Sequence, residues 1–100
     1  MGDVKVFKMI SGEEIIGSIV STDSSKYEVK NPAQIVLQRT ETGVGVAMAP
    51  YMPYATGNIN LHQTAIASDC TPDINLVNEY NKLFGSGIQI APASALAGLK

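Results

Sequence analysis

Two long strand-forming runs of this chain each carry a residue near the middle that an unbroken strand tolerates poorly, Gly17 in the first and Pro32 in the second. A strand that continues past such a residue has to bend there. Glycine permits a close backbone approach, and proline withdraws one ladder donor. The surrounding pattern is that of β-structure. Val4, Val6 and Lys8 alternate with Lys5, Phe7 and Met9, the period-two signature of a half-buried strand. Ser11-Gly12-Glu13 turns the chain into a second run, Glu14 to Thr22, which contains Gly17 and leads into a polar loop at Asp23. Lys26 to Arg39 reads as one long strand kinked at Asn31-Pro32, so that Tyr27 and Val29 serve one sheet segment and Ile35 and Leu37 another. A turn at Glu41-Thr42-Gly43 opens a fourth strand over Val44 to Tyr51, and a turn at Ala55 to Asn58 opens a fifth over Ile59 to Ala67.

The period changes after Cys70. Thr71-Pro72-Asp73 reads as an N-cap, a proline at the first helical position and an acid in the first turn. Ile74, Val77, Tyr80 and Phe84 then recur at helical spacing, Leu76 and Leu83 widen the apolar stripe, and Gly85 stands where a C-terminal cap belongs. A helix over about 72–84 follows. The Gly-, Ala- and Ser-rich residues 86–100 predict a short strand at Ile88 and Ile90 and then a flexible tail. The expected architecture is mainly β: a small, strongly bent, five-stranded antiparallel open barrel with one C-terminal helix, all in a single domain over 1–85. Strands occupy about 4–70.

Composition narrows the function. With 45% hydrophobic and 16% charged residues the chain is a folded domain with a lightly charged surface, and its net charge of −2 disfavours gripping nucleic acid by bulk electrostatics. The single cysteine, Cys70, forms no internal disulfide and no Cys-rich metal pattern, and fits a reducing compartment. No apolar run reaches spanning length, and the N-terminus lacks a signal peptide's order of basic then apolar residues. A cytoplasmic protein without membrane partner, cofactor or metal is expected. His62 has no carboxylate or thiol at metal-ligand spacing and reads as a strand or interface residue. Glu13 and Glu14 are consecutive strand residues that point apart and read as a solvated turn. Tyr51 and Tyr54, beside Pro50 and Pro53, read as packing or subunit contacts. No nucleophile stands with a base and no glycine-rich phosphate cradle appears, so a binding or structural role is expected instead of an enzyme.

Ile10 to Asp23 resembles the first signature of the Sm-like family. In that family a strand ends in an apolar-x-Gly turn, the next strand carries a glycine four or five residues on, and an aspartate closes it. The order of five strands over about 4–70 is also similar to the Sm fold, although family members carry a helix before the first strand and here the helix follows the last. The resemblance implies a homo-oligomeric ring of about five to seven subunits, in which the fourth strand of one subunit pairs with the fifth of the next. Its interface would involve Val44, Val46, Met48, Tyr51, Ile59, Leu61, Gln63 and Ala65. The resemblance further implies single-stranded RNA binding by loops facing the pore, here Asp23, Ser24, Ser25, Lys26 and Tyr27 together with Ser68 and Asp69. The family's loop has an asparagine where Lys26 stands and a base-stacking side chain inside the motif, whereas Tyr27 falls one residue late. Its Arg-Gly pair is replaced by Ala67-Ser68, followed by Asp69. Weak RNA binding is therefore the expectation, with Lys26, Lys30 and Arg39 as the basic grouping; the alternative is a structural or protein-interaction ring of phage origin, located in a host cytoplasm.

Overall fold

The computed structural model describes residues 3–84. Its elements are β1 (Val4–Met9), β2 (Glu14–Thr22), β3 (Lys26–Thr40), β4 (Gly43–Pro50), β5 (Ile59–His62), β6 (Ile66–Cys70) and the helix α1 (Ile74–Phe84). All pairings are antiparallel. The strands lie in the order β4-β3-β2-β1-β6, and β5 pairs with β3 off that path. A 3-10 turn at Gln63–Ala65 joins β5 to β6. The sheet thereby curls almost fully round without a β5–β6 ladder, giving a mainly β, strongly bent open barrel with one C-terminal helix.

The expected fifth strand is divided in two. To reach the edge of β1 from the edge of β3 the chain has to leave one ladder before it joins another, and the 3-10 turn makes that step. Its ends are pinned: the Gln63 amide donates to the Ser25 carbonyl at 2.8 Å, and the Ile10 amide donates to the Ala65 carbonyl at 2.8 Å. The helix begins later than the sequence suggests, at Ile74. Asp73 is its cap in place of Thr71, because its carboxylate Oδ1 accepts the Leu76 amide at 2.9 Å. The expected cap at Gly85, the strand at Ile88 and Ile90, and the tail lie outside the described residues.

The barrel is organised by the bend in β3. Up to Val29 this strand pairs with β5, and from Ala33 onward its same edge pairs with β4. Between them Asn31 adopts a left-handed φ of 53°, a conformation that asparagine tolerates better than most residues. The ladder between β2 and β3 slips at the same place, between Ile16 and Ser18. Gly17 lies within that slip. A Cβ on Gly17 would intrude on the Val29 side chain and meet the Pro32 Cα at 3.4 Å. The two bend residues of the sequence thus face each other, and the missing side chain of one makes room for the detour of the other.

Alternation divides the apolar residues between two clusters. Phe7, Met9, Ile15, Val29, Ile59 and Leu61 fill the barrel interior. On the outer face Ile16 and Ala33 are buried with Tyr80 of α1, and Val4, Val6, Ile35, Met48, Leu76 and Phe84 pack around them. Phe7, Ile15, Ile16 and Val29 are fully buried, each contributing about 1.5–3 kcal/mol by removal from water. Tyr80 does more than fill space. Its hydroxyl lies 3.0 Å from the Lys30 carbonyl and 2.9 Å from the Asn31 carbonyl, a three-centre donation to the two groups flanking the bend. The Ser18 hydroxyl lies 3.2 Å away and can donate to it in return. Burial raises the phenol above its usual pKa, with the Ser18 bonds acting in the opposite direction, so the fold favours the neutral hydroxyl. That contribution is present below the pKa of the unfolded tyrosine and is lost as pH rises through the folded value.

Tyr80→Phe should cost about 1–3 kcal/mol in urea unfolding, because the ring stays while two part-buried carbonyls lose the hydroxyl that donates to them. Gly17→Ala should cost a similar amount, about 1–3 kcal/mol, by overpacking against Val29. Unchanged midpoints and slopes would show that the bend does not depend on these contacts.

Candidate functional site

The loop between β2 and β3 is built around Asp23. Its Oδ1 accepts the Ser25 amide at 2.7 Å, the Ser25 hydroxyl at 2.9 Å and the Lys26 amide at 3.0 Å. The Asp23 amide donates to the Lys26 carbonyl at 3.0 Å, closing the turn. These donors, the Ser25 amide foremost, hold the Asp23 carboxyl below the usual aspartate pKa. The 3-10 turn docks onto the same loop: besides its backbone bond to Ser25, Gln63 donates from Nε2 to the Asp23 carbonyl at 3.2 Å. A sequence of small polar residues has thus become a closed turn whose acid serves the loop itself.

Tyr27, the aromatic of this loop, is half-buried and turned toward the core. Its ring centroid lies 4.9 Å from that of Phe7 at an interplanar angle of 59°, the tilted arrangement aromatic pairs favour. Ser24 and Ser25 are exposed and Lys26 is half-buried. Ser68 and Asp69 lie on β6 opposite Lys8 and Phe7 of β1. Asp69 binds the Lys5 ammonium at 3.0 Å, and this bond leads the causes that raise the Lys5 pKa above its ordinary value. Lys5 and Tyr27 line one cleft of about 800 Å³ together with Asp3, Thr22, Thr71 and Asn81. The two expected RNA segments therefore approach each other through Lys5, with its charge already matched by Asp69.

Sequence reasoning passed over Lys5. The signal was the alternation itself: Lys5 shares a row with Phe7 and Met9, so the interior face of β1 ends in a cation at the rim of the barrel. Gln63, expected at the subunit interface, ties the 3-10 turn to the loop within the chain. Glu28 was also missed. Its carboxylate accepts from Asn58 Nδ2 at 2.9 Å and from the Ser21 hydroxyl at 3.0 Å, joining the β4–β5 connection to the sheet and lowering its own pKa, Asn58 first.

The expected interface residues fall into three environments. Ile59 and Leu61 are 8% and 4% exposed and belong to the chain's own core, since the alternation of β5 turns them inward and Asn60 and His62 outward. Met48 and Tyr51 are half-buried, packed against the outer and inner clusters. Val44 and Val46 present their side chains to solvent, and Gln63 and Ala65 are exposed on the 3-10 turn. Cys70 is an exposed free thiol. Among the described residues no group of His, Cys, Asp and Glu is arranged to hold a metal ion, and no helix is long and apolar enough to cross a membrane.

Because the folded Asp23 carboxyl has a depressed pKa, its contribution to stability is present above the unfolded value and is lost as pH falls through the folded one. Wild-type protein should therefore melt above Asp23→Asn at neutral pH, with the gap closing below about pH 4. A pH-independent gap in melting temperature would contradict this role for the carboxylate. No protein-family model matches the sequence, and no curated protein matches it.

Proposed function

We propose that this chain is the subunit of an Sm-like homo-oligomeric ring, in which β4 of one subunit pairs with β6 of the next, and that the ring binds single-stranded RNA weakly. The observation that carries the assembly is the pair of open edges at the two ends of the strand order, β4 and β6. Neither is guarded. β4 (Gly43–Pro50) contains no charged residue, and the one charge of β6, Asp69, is engaged by Lys5. Exposed strand edges without lysines are templates for another strand. Two different edges on one subunit can pair only head to tail, and such pairing closes into a ring when the rotation per step divides the circle.

For the RNA half, the support is the family-type loop at Asp23 and the cations Lys26, Lys30 and Arg39, which make no salt bridge among the described residues. Repetition round a ring would multiply contacts that are feeble singly. Three features keep each contact weak: Asp23 is occupied by its own loop, the Tyr27 ring packs on Phe7, and Asp69 neutralises Lys5. A second reading, a structural or protein-interaction ring without nucleic acid, is favoured by the apolar surface of Val36, Leu37, Val44 and Val46, which are 41%, 65%, 65% and 47% exposed.

Light scattering should give a particle several times the 10.6 kDa chain, and Ala49→Lys on β4 should reduce it to monomer. A fluorescent oligouridine should bind the assembled protein at low ionic strength and lose affinity as salt rises. A monomeric wild type at every concentration would reject the ring. No binding to an intact ring would remove the RNA half and leave the second reading.

A further inference from the structure

The cleft of about 800 Å³ beside Lys5 is walled by β1, β2 and the start of β3 on one side, and by the β6–α1 connection and α1 on the other. Its volume falls in the range of small-molecule sites, roughly 300–1,000 Å³. Both walls are held in place. Ser18 on the strand wall has its hydroxyl 3.2 Å from that of Tyr80, and Tyr80 ties the helix to the Lys30 and Asn31 carbonyls. Val77 and Asn81, one helical turn apart, therefore meet the strands across a fixed gap.

The lining is divided by character. Val4 and Ile19 on the strand side and Pro72 and Val77 on the helix side supply apolar surface. The charged groups lie together at the rim, Asp3 immediately before β1 and Lys5 within it. Lys5 is already matched, because its ammonium lies 3.0 Å from the Asp69 carboxylate. Asp3 is exposed, and among the described residues its carboxylate makes no ion pair. Its backbone carbonyl accepts the Ile19 amide at 2.7 Å, which fixes the residue at the rim. Two carboxylates against one ammonium leave the cleft with an excess of negative charge. The N-terminus of α1 does not reverse this, since Asp73 caps it with a further carboxylate, Oδ1 accepting the Leu76 amide at 2.9 Å.

We infer that the cleft binds a small amphipathic organic cation, an aliphatic ammonium compound whose charged end meets Asp3 and whose hydrocarbon body lies on Ile19, Pro72 and Val77. A phosphate or carboxylate ligand would have to approach two carboxylates to reach a lysine that is already paired. A neutral ligand would cover the same apolar surface without the charge-assisted bond to Asp3. The site is contained in one chain, so it stands independently of the ring and of RNA binding.

The test is an NMR titration of the full chain, carrying labelled isoleucine and valine methyl groups, with hexylammonium, hexanol and hexanoate at low ionic strength. Hexylammonium should move the Val4, Ile19 and Val77 methyl signals in a saturable way. It should bind about fivefold more tightly than hexanol, the difference expected of one exposed charge pair, and hexanoate should bind most weakly. Asp3→Asn, a substitution at an exposed residue, should bring hexylammonium to the affinity of hexanol and leave hexanol unchanged. Equal affinity for all three compounds in the wild type would overturn the proposal, leaving an apolar surface without charge preference. Tightest binding of hexanoate would overturn it by giving the cleft to Lys5. Shifts confined to methyls outside the cleft, or none that saturate, would show that the cleft is not a site.

Discussion

A carbonyl displaced from its ladder by a bend has to find another donor, or folding bears the cost of burying it unpaired, about 1–3 kcal/mol. In this protein Lys30 and Asn31 are the residues at the bend, and the Tyr80 hydroxyl is the donor. The remaining architecture depends on that arrangement. The bend lets one edge of β3 serve β5 and then β4, which curls the sheet into a barrel. Because the donor comes from α1, the helix is held to the barrel by a polar contact as well as by Leu76 and Phe84. Gly17 supplies the complementary space on β2.

The same geometry determines what is left open. A barrel that ends in β4 on one side and β6 on the other has two unlike edges, and the proposed ring joins them. The polar end of the barrel is largely satisfied internally: Asp23 by its loop, Lys5 by Asp69, and Glu28 by Asn58 and Ser21. Electrostatics of this kind stabilise loops and leave little for a ligand. The proposed assembly therefore rests on backbone edges and apolar surface more than on charge.

Much of the fold was legible because each bend had a residue that could have no other purpose in a strand. Gly17 and Pro32 announced the barrel, and the alternation of β1 separated Phe7 and Met9 from Val4 and Val6 as the two clusters do. The 3-10 turn was not legible, since His62 to Ala65 contains no glycine or proline and the need for it arises only from the distance between two edges. Asp73 displaced Thr71 as the cap for a reason of reach: its carboxylate extends to the Leu76 amide. The site was less readable than the fold. In sequence Asp23 is only the acid that follows a strand, and the folded loop alone reveals that its Oδ1 accepts the Ser25 amide, the Ser25 hydroxyl and the Lys26 amide. Ile59 and Leu61 read as edge contacts because position along the chain does not tell which face of β5 turns inward.

The central claim is that the β3 bend and α1 form one cooperative unit through Tyr80, and native-state hydrogen exchange addresses it most directly. The amides of β3 on both sides of the bend and those of α1 around Tyr80 should exchange through a single opening, with the same free energy and the same denaturant dependence. Helix amides that exchange through a separate, lower-energy opening while β3 keeps its protection would contradict the claim.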